Sequence, residues 1–257
     1  MEARLKSTAL NAVHEGGVVL MKYFGKVRSI YYKGEINLVT EADKKVEETI
    51  LRIVQQNYPD HRILAEETGA RGESSPFKWI IDPLDGTTNY AHGYPCFCIS
   101  IAIEYEGEVL YGVVYDPLRD ELFTAEQGKG AYLNEKAIRV SSTQDLNRSL
   151  LCTGFPYDVR DDINNHLSSF RNFLMKAQAV RRDGSAALDL SYLAAGRFDG
   201  FWERRLHPWD VAAGSLLVIE AGGKLSTFKG EAFSIYAPEI VASNGAIHPS
   251  MIEILRE

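Results

Sequence analysis

The chain has 257 residues, of which 45% are hydrophobic and 25% are charged. This composition is typical of a globular protein with a substantial core, and it excludes a disordered chain and a disulfide-stabilised miniprotein. The formal net charge of −7 argues against a nucleic-acid partner, and an acidic protein that handles an anion needs cations such as metal ions at its site.

The expected compartment is the cytoplasm. The first 25 residues lack the basic start, apolar run and cleavage site of a secretory signal, and no stretch approaches the roughly 18 apolar residues that cross a bilayer. Cys96, Cys98 and Cys152 form neither a CxxC pair nor an even-numbered disulfide framework, so we expect free, buried thiols. No membrane partner is predicted.

Two amphipathic helices are predicted at the start of the chain. Apolar residues recur at helical spacing from position 10 to position 24, where Gly25 ends the pattern. Thr40 is a suitable N-cap for the second helix, which has Asp43 in its first turn. The intervening residues 33–37 are polar and are predicted to form a mobile connection.

A series of strands follows. Residues 62–65 and 77–81 are predicted strands that end in carboxylates, Glu66–Glu67 and Asp82 respectively. The segment from Phe97 to Leu133 contains further strands at 98–105, 109–115 and 121–125, separated by turn residues, which predicts an antiparallel meander.

Strands and helices alternate beyond residue 141. Strands are predicted at 150–153, 179–182, 198–202 and 240–242. Helices are predicted at 163–175, at 185–195, from Pro208 to the Gly222–Gly223 pair, and at the C-terminus. We therefore predict an N-terminal α+β part, residues 1–140, and a C-terminal α/β part, residues 141–257.

The most informative segment is residues 79–89, with the sequence WIIDPLDGTTN. An apolar strand ends at Asp82, and Pro83 is expected to turn the chain so that Asp85 points back to the same place. Paired carboxylates are the hard oxygen ligands that Mg²⁺ prefers.

The residues that follow favour an anion. Gly86 allows close backbone approach, and Thr87 opens a short helix whose free N–H groups suit a phosphate. All these residue types are also common in surface turns, so the segment alone is equally consistent with an ordinary turn.

Further acids lie at the ends of other predicted elements. Each has an ordinary explanation: Glu66–Glu67 suits a solvated strand edge, whereas Asp43 and Asp210 each complement the dipole of a helix N-terminus. A single metal site accounts for all of them together. The sequence has no HExxH, GxSxG or Walker A motif, which argues against a zinc hydrolase, a serine hydrolase and a P-loop enzyme.

Over nearly its whole length the chain resembles the inositol monophosphatase family of metal-dependent, lithium-sensitive phosphatases. The resemblance is carried by residues 38–43 (LVTEAD), 65–67 (AEE), 79–89 and 209–214 (WDVAAG). It implies a layered αβαβα sugar-phosphatase fold, with the active site between the N-terminal and C-terminal parts, and a homodimer.

The resemblance also implies a set of metal ligands. Glu66, Asp82 and the backbone carbonyl of Leu84 are expected to hold one Mg²⁺ ion, and Asp82, Asp85 and Asp210 a second. Glu66 is expected to help hold a third, weaker ion through water. Lys33 resembles a mobile-loop lysine near that third ion.

The implied catalytic residues are Asp43, Glu66 and Thr87, with Thr87 hydrogen-bonded to Asp43 and activating the attacking water. The backbone N–H groups of Gly86 and Thr87 are expected to bind phosphate. The implied substrate-binding residues are Glu66, Leu84, Asp85, Gly86, Thr87, Gly184, Ser185, Ala186, Glu203 and Asp210.

The expected reaction is hydrolysis of inositol 1-phosphate, or a related small polyol phosphate, by in-line attack of a metal-activated water. Ala65 replaces a glycine common in the family, a change that looks harmless. Arg204–Arg205 follow Glu203, and together with Arg181–Arg182 they form either a solvated basic edge or a binding site for a second phosphate.

Three alternatives follow. After inositol monophosphatase, the next expected activity is that of a fructose-1,6-bisphosphatase or a dual-specificity enzyme, and the one after that is a nucleotide 3′-phosphatase. A non-enzymatic regulatory or binding protein on the same fold is the alternative of a different class. Loss of a metal ligand or of Thr87 would favour that last alternative, but all are present.

Overall fold

The computed structural model describes residues 2–26, 30–32, 38–72, 74–156, 159 and 163–256. The predicted mobile connection at 33–37, which includes Lys33, lies outside the described residues. None of the described helices combines the length and the apolar content needed to cross a bilayer.

The N-terminal half contains two long helices and a large sheet. The helices are α1 (Ala3–Tyr23) and α2 (Glu41–Asn57), with the hairpin β1 (Ile30–Tyr32) and β2 (Leu38–Thr40) between them. The eight strands of the sheet are β3 (Arg62–Ala65), β4 (Gly69–Arg71), β5 (Phe77–Asp85), β6 (Cys98–Tyr105), β7 (Glu108–Asp116), β8 (Glu121–Glu126), β9 (Gly130–Leu133) and β10 (Lys136–Ile138).

The strand order is β10-β9-β8-β7-β6-β5-β3-β4, and β3 and β5 are its parallel pair. Each of the consecutive strand pairs from β5-β6 to β9-β10 is antiparallel, so the predicted meander is confirmed. A short helix, α3 (Thr87–Ala91), connects β5 towards β6.

The described residues of the C-terminal half form a five-stranded mixed sheet and four α-helices. The strands are β11 (Leu150–Thr153), β12 (Ala179–Arg181), β13 (Gly200–Arg204), β14 (Lys224–Ser226) and β15 (Glu239–Ser243), in the order β12-β11-β13-β15-β14. The helices are α4 (Ile163–Lys176), α5 (Ala186–Ala194), α6 (Pro208–Glu220) and α7 (His248–Arg256), and a 3₁₀ turn spans Leu146–Arg148.

Three apolar cores hold together five layers of secondary structure, and the central core packs against both sides of the α5–α6 layer. Helices α1 and α2 cover one face of the large sheet, α5 and α6 fill the space between the two sheets, and α4 and α7 cover the far face of the small sheet. Neighbouring residues of β5 show the alternation, because Ile80 packs in the central core and Ile81 in the outer one. The predicted layered αβαβα fold is therefore confirmed.

Small residues set the spacing of the central layer. A Cβ on Gly112 of β7 would lie 2.9 Å from the Ala213 backbone of α6, and a Cβ on Gly214 would lie 2.6 Å from Leu190 of α5. The close approach of α6 to the sheet and to α5 thus requires glycine at both positions, and it fixes where the N-terminus of α6 lies.

The structure differs from the sequence prediction at two strands near the cavity. The predicted turn at Pro83 is wrong, because β5 continues to Asp85 through an irregularity in its pairing. Strand β13 runs from Gly200 to Arg204, two residues later than predicted, so Glu203 lies within a strand. The short strands β4, β10 and β14 were not predicted, since three residues are too few to show a period.

Candidate active site

A cavity of about 920 Å³ is lined by residues from both halves of the chain. Every residue predicted to bind metal or substrate lines it: Glu66, Asp82, Leu84, Asp85, Gly86, Thr87, Gly184, Ser185, Ala186, Glu203 and Asp210. The remaining predicted residue, Asp43, is buried and contacts Thr87.

A β-bulge in β5 brings two of the carboxylates to the same face of the sheet. Asp82 pairs with Ser100 of β6 and Asp85 with Cys98, so β5 has three steps where β6 has two. In a regular strand, residues three apart point to opposite faces, and the extra residue corrects this. Pro83 suits the bulge because it has no N–H to leave unpaired.

The three aspartates form a tight cluster. One carboxylate oxygen from each of Asp82, Asp85 and Asp210 lies within 4.8 Å of the other two. Glu66 lies on the same cavity but outside this three-residue cluster. Its negative charge nevertheless helps to raise the pKa of Asp82, so the fourth carboxylate is electrostatically part of the site.

Asp85 connects the two halves of the protein. Its Oδ2 accepts hydrogen bonds from the Ser185 hydroxyl and from the Ala187 backbone N–H, both at 2.7 Å. The Ser185 hydroxyl proton is therefore donated to Asp85, which leaves the hydroxyl oxygen and the Ser185 backbone for other contacts.

Asp210 serves the helix and the cluster at once. The His207 N–H donates to Asp210 Oδ2 at 2.6 Å, which forms part of the capping arrangement of α6, and Pro208 occupies the first turn. The structural explanation that the sequence offered for Asp210 is thus confirmed, and the same carboxylate also lies in the cavity.

The cluster is electrostatically unbalanced. Burial, followed by repulsion from neighbouring carboxylates, raises the pKa of Asp82 and Asp210 well above the ordinary range. The pKa of Asp85 is also raised by burial, although its hydrogen bonds to Ser185 and α5 oppose the shift. Crowded carboxylate oxygens of this kind fit a hard divalent cation, which would balance their charge.

Thr87 and Asp43 form a second functional pair beside the cluster. The Thr87 hydroxyl lies 3.1 Å from Asp43 Oδ1 and 3.0 Å from the Leu84 carbonyl oxygen, so its single proton has two acceptors. Asp43 Oδ2 accepts from the hydroxyl and the N–H of Thr40, at 2.5 and 2.8 Å. Burial raises the pKa of Asp43 to about 6.

Gly86 precedes Thr87 in a conformation that requires glycine. Its φ is +95°, and a Cβ would lie 2.8 Å from the Cys96 carbonyl oxygen. The backbone at the predicted phosphate site therefore packs closely against the segment before β6.

The four arginines that the sequence left ambiguous divide into two pairs. Arg182 and Arg205 line the cavity. Arg204 lies over the Phe228 ring and 3.8 Å from Glu239, and exposed Arg181 donates to the Val180 carbonyl. Only the first pair is placed to contact a substrate.

Two contributing residues carry no predicted role. The Asn89 side chain donates to the carbonyl oxygens of Cys96 and Asp183, both at 2.8 Å, and so connects the end of α3 to the Gly184 loop. Asp189 of α5 is a buried carboxyl group on the cavity wall. Asn89 belongs to the 79–89 motif, whereas Asp189 has no sequence signal beyond an acid inside an apolar helix.

Comparison with known proteins agrees with this geometry. The model of the inositol monophosphatase family matches residues 1–257. An inositol-1-monophosphatase from Synechocystis sp. is 46% identical over 249 residues, which is 96% of this chain and 87% of the relative. A Nus factor SuhB from Pseudomonas aeruginosa is 44% identical over 243 residues, 92% of this chain and 90% of the relative.

Solved structures show the same fold. An inositol monophosphatase from Anabaena (Nostoc) sp. superposes with a TM-score of 0.90 at 43% identity, covering 99% of this chain and 97% of that one. The extragenic suppressor protein suhB from Bartonella henselae gives a TM-score of 0.95 at 38% identity, with 99% of each chain covered. The chain therefore belongs to the inositol monophosphatase family and is a phosphatase.

Proposed function

We propose that this protein is a Mg²⁺-dependent phosphomonoesterase that hydrolyses inositol 1-phosphate and related small polyol phosphates. The observation that carries the proposal is the cluster of Asp82, Asp85 and Asp210 in the cavity that Thr87, the hydrogen-bond partner of Asp43, also lines. A cation site beside a polarised hydroxyl suits hydrolysis of a phosphate ester.

The residues that would hold Mg²⁺ are the three clustered aspartates, Glu66 and the Leu84 carbonyl. When bound, the ions neutralise charge on the phosphate and the leaving alkoxide and lower the pKa of water. Following the family resemblance, we propose two tightly held ions and a third, weaker one.

Thr87 and Asp43 prepare the nucleophile. The Thr87 hydroxyl donates a hydrogen bond to Asp43. Its oxygen can then accept a hydrogen bond from a water molecule and so orient that water. Asp43 suits the role of proton acceptor, because its pKa of about 6 lies close to a neutral working pH.

The alcohol part of the substrate would meet Glu203 and the Gly184–Ala186 backbone. Glu203 is 7% exposed, and burial, with a contribution from the charge of Asp85, raises its pKa to about 8. A protonated carboxyl group both donates and accepts hydrogen bonds, which suits a polyol hydroxyl. The Gly86 and Thr87 N–H groups would bind the phosphate.

Activity on fructose 1,6-bisphosphate is the second candidate, and the positions of Arg182 and Arg205 on the cavity wall support it. Each planar guanidinium could hold a second phosphate, which inositol 1-phosphate lacks. Nucleotide 3′-phosphatase activity is the third candidate, and no specific observation favours it.

A regulatory role is the candidate of a different class. It is supported by the names of close relatives, since a protein called Nus factor SuhB is 44% identical. The complete set of candidate catalytic residues favours a working enzyme, with which such a role is compatible. We further propose a cytoplasmic homodimer, in keeping with the family resemblance.

A phosphate-release screen tests the proposal. Inositol 1-phosphate, fructose 1,6-bisphosphate and 3′-phosphonucleotides are each incubated with the protein in Mg²⁺ or in excess EDTA, with Asp82→Asn as the inactive control. We expect the highest kcat/KM for inositol 1-phosphate and no turnover in EDTA. Full activity in EDTA would refute the metal mechanism. A preference for fructose 1,6-bisphosphate would make the bisphosphate, rather than inositol 1-phosphate, the proposed substrate.

A further inference from the structure

Glu47 of α2 is a buried carboxylate that the proposed chemistry does not use. Its side chain is 1% exposed, and burial raises its pKa. Oε2 accepts a hydrogen bond from the Glu67 N–H at 2.9 Å, and this bond, together with one from the Thr68 side chain, opposes the rise in pKa. Burying an acidic side chain is unfavourable, so its position beside the Glu67 N–H needs an explanation beyond packing.

The explanation lies in the corner where β3 ends. Strand β3 stops at Ala65, and the Glu66 N–H still donates to the Ile81 carbonyl of β5, at 3.2 Å. One residue later the partner of the Glu67 N–H is no longer a strand carbonyl but Glu47. The peptide groups on both sides of Glu66 are therefore held, one by the sheet and the other by α2.

Helical spacing connects this contact to the rest of the site. Asp43 and Glu47 are four residues apart, so they lie on the same face of α2. Asp43 holds the Thr87 hydroxyl and Glu47 holds the Glu66–Glu67 peptide. One face of one helix thus supports two separate parts of the cavity.

We infer that Glu47 is a positioning residue that fixes Glu66 in the orientation needed to bind metal. The inference rests on the proposed function, in which Glu66 is a metal ligand. Its physical basis is that a ligand whose backbone is held loses less conformational freedom when it binds an ion, and outer contacts of this kind typically contribute about 10- to 100-fold in metal affinity.

Two substitutions separate the hydrogen bond from the charge. Glu47→Met keeps the length of the side chain and removes the acceptor, whereas Glu47→Gln keeps an acceptor oxygen for the Glu67 N–H and removes the charge. The matched control is Asp199→Leu, because Asp199 is another buried carboxylate that accepts a backbone N–H, from Leu150 at 2.7 Å, and it does not line the cavity.

The main readout is the Mg²⁺ dissociation constant measured by calorimetry without substrate, with the Mg²⁺ concentration for half-maximal activity as a second readout. We expect Glu47→Met to raise both about tenfold or more and Glu47→Gln to stay within about threefold of wild type. Asp199→Leu should lower the melting temperature and leave both metal constants unchanged.

Wild-type metal affinity in Glu47→Met would overturn the inference. Equal weakening in Glu47→Gln and Glu47→Met would also overturn it, because the charge rather than the hydrogen bond would then matter. A wild-type protein that neither binds nor needs Mg²⁺ would instead refute the proposed function.

Amide hydrogen exchange on the wild-type protein provides a test that needs no variant. We expect the Glu67 amide to exchange slowly, because its proton is held by a buried carboxylate. Fast exchange at Glu67, with slow exchange at Glu66, would show that Glu47 does not hold this peptide and would overturn the inference even if Glu47→Met failed to fold.

Discussion

Two acidic regions of this protein differ in how the negative charge of their buried carboxylates is balanced. Glu104 of β6 is 1% exposed and is balanced on both oxygens: Lys78 donates to Oε1 and the Tyr236 hydroxyl to Oε2, each at 2.5 Å. In the cavity, Asp82, Asp85 and Asp210 crowd together, and no Lys or Arg among the described residues forms an ion pair with any of them.

The difference shows what the cavity requires. At Glu104 the chain supplies its own cation, so the charge contributes to a closed structural contact. At the aspartate cluster the balancing charge must come from outside, because uncompensated buried carboxylates repel one another and are poorly solvated. A buried acid therefore indicates function mainly when its neighbours leave it without a counter-charge.

Asp82→Asn should give the largest effect, and it tests the unbalanced region directly. We expect kcat/KM to fall about 10⁴-fold, or about 5 kcal/mol, because we propose that this residue holds two ions. The melting temperature of the metal-free protein should rise, since the substitution removes one repelling charge.

The matched change at the balanced site is Glu104→Gln. It should lower the melting temperature, because Lys78 loses its negatively charged partner, and leave kcat/KM close to wild type. Phosphate-release kinetics and thermal unfolding in EDTA measure both variants. If both responded alike, the two acidic regions would not differ in the way that we describe.

Thr87→Ala and Asp43→Asn test the pair beside the cluster. Each should lower kcat about 10³-fold with a much smaller change in KM, because orienting and deprotonating water matters mainly in the transition state. The double variant should be little worse than either single one. A double loss equal to the product of the single losses would show that the two residues act independently.

Arg182→Ala and Arg205→Ala examine the cations on the cavity wall. If either holds a second phosphate, its loss removes a charge-assisted contact of about 1.5–3 kcal/mol, equivalent to roughly 10- to 150-fold in kcat/KM for fructose 1,6-bisphosphate. Inositol 1-phosphate should be nearly unaffected. Arg204→Ala is the matched control, because Arg204 lies against Phe228 and Glu239 instead. Equal small effects on both substrates would exclude a second phosphate site.

The metal-free protein should lose stability as the pH rises, which is the smallest expected effect. Glu203 has a folded-state pKa of about 8 and an ordinary value of 4.5, so between these pH values the folded state retains a proton that the unfolded state releases. The free energy of unfolding should then fall with rising pH, by at most about 1.4 kcal/mol per pH unit for each such group.

Thermal unfolding in EDTA from pH 5 to 8 measures that slope. Glu203→Gln should reduce it, and added Mg²⁺ should flatten the part that comes from the aspartates. A melting temperature that rose with pH in the metal-free wild type would contradict the raised pKa values.

Much of the site was predictable because it lies at the ends of elements with clear patterns. The apolar run of β5 and the cap of α2 are local, so the sequence indicates where Asp82 and Asp43 lie along the chain. The capping arrangement of Thr40 and Asp43 is confirmed for the same reason. The family resemblance then supplied the pairing of Thr87 with Asp43, which no local pattern contains.

Other features depended on packing between distant segments. The bulge at Pro83 replaced the predicted turn because β6 pairs with β5 on both sides of it. The sequence could not predict that Arg205 lines the cavity whereas Arg204 does not, since Arg205 adopts a left-handed φ of 61° after the strand has ended. The sequence gives Glu47 no feature that distinguishes it from other acids on helices. Its role depends on the position of the chain just after β3.

The sequence by itself determined most of the elements and the identity of the acids, because helix caps, strand periods and motifs are properties of neighbouring residues. The layered fold class followed from the family resemblance. The tertiary structure decided which oxygens converge, which charges stay unbalanced and which arginines reach the cavity. The physical reason is that electrostatic balance and hydrogen-bond partners depend on distances between residues far apart in the chain. Asp85 and Ala187 lie 102 positions apart and still form a 2.7 Å hydrogen bond.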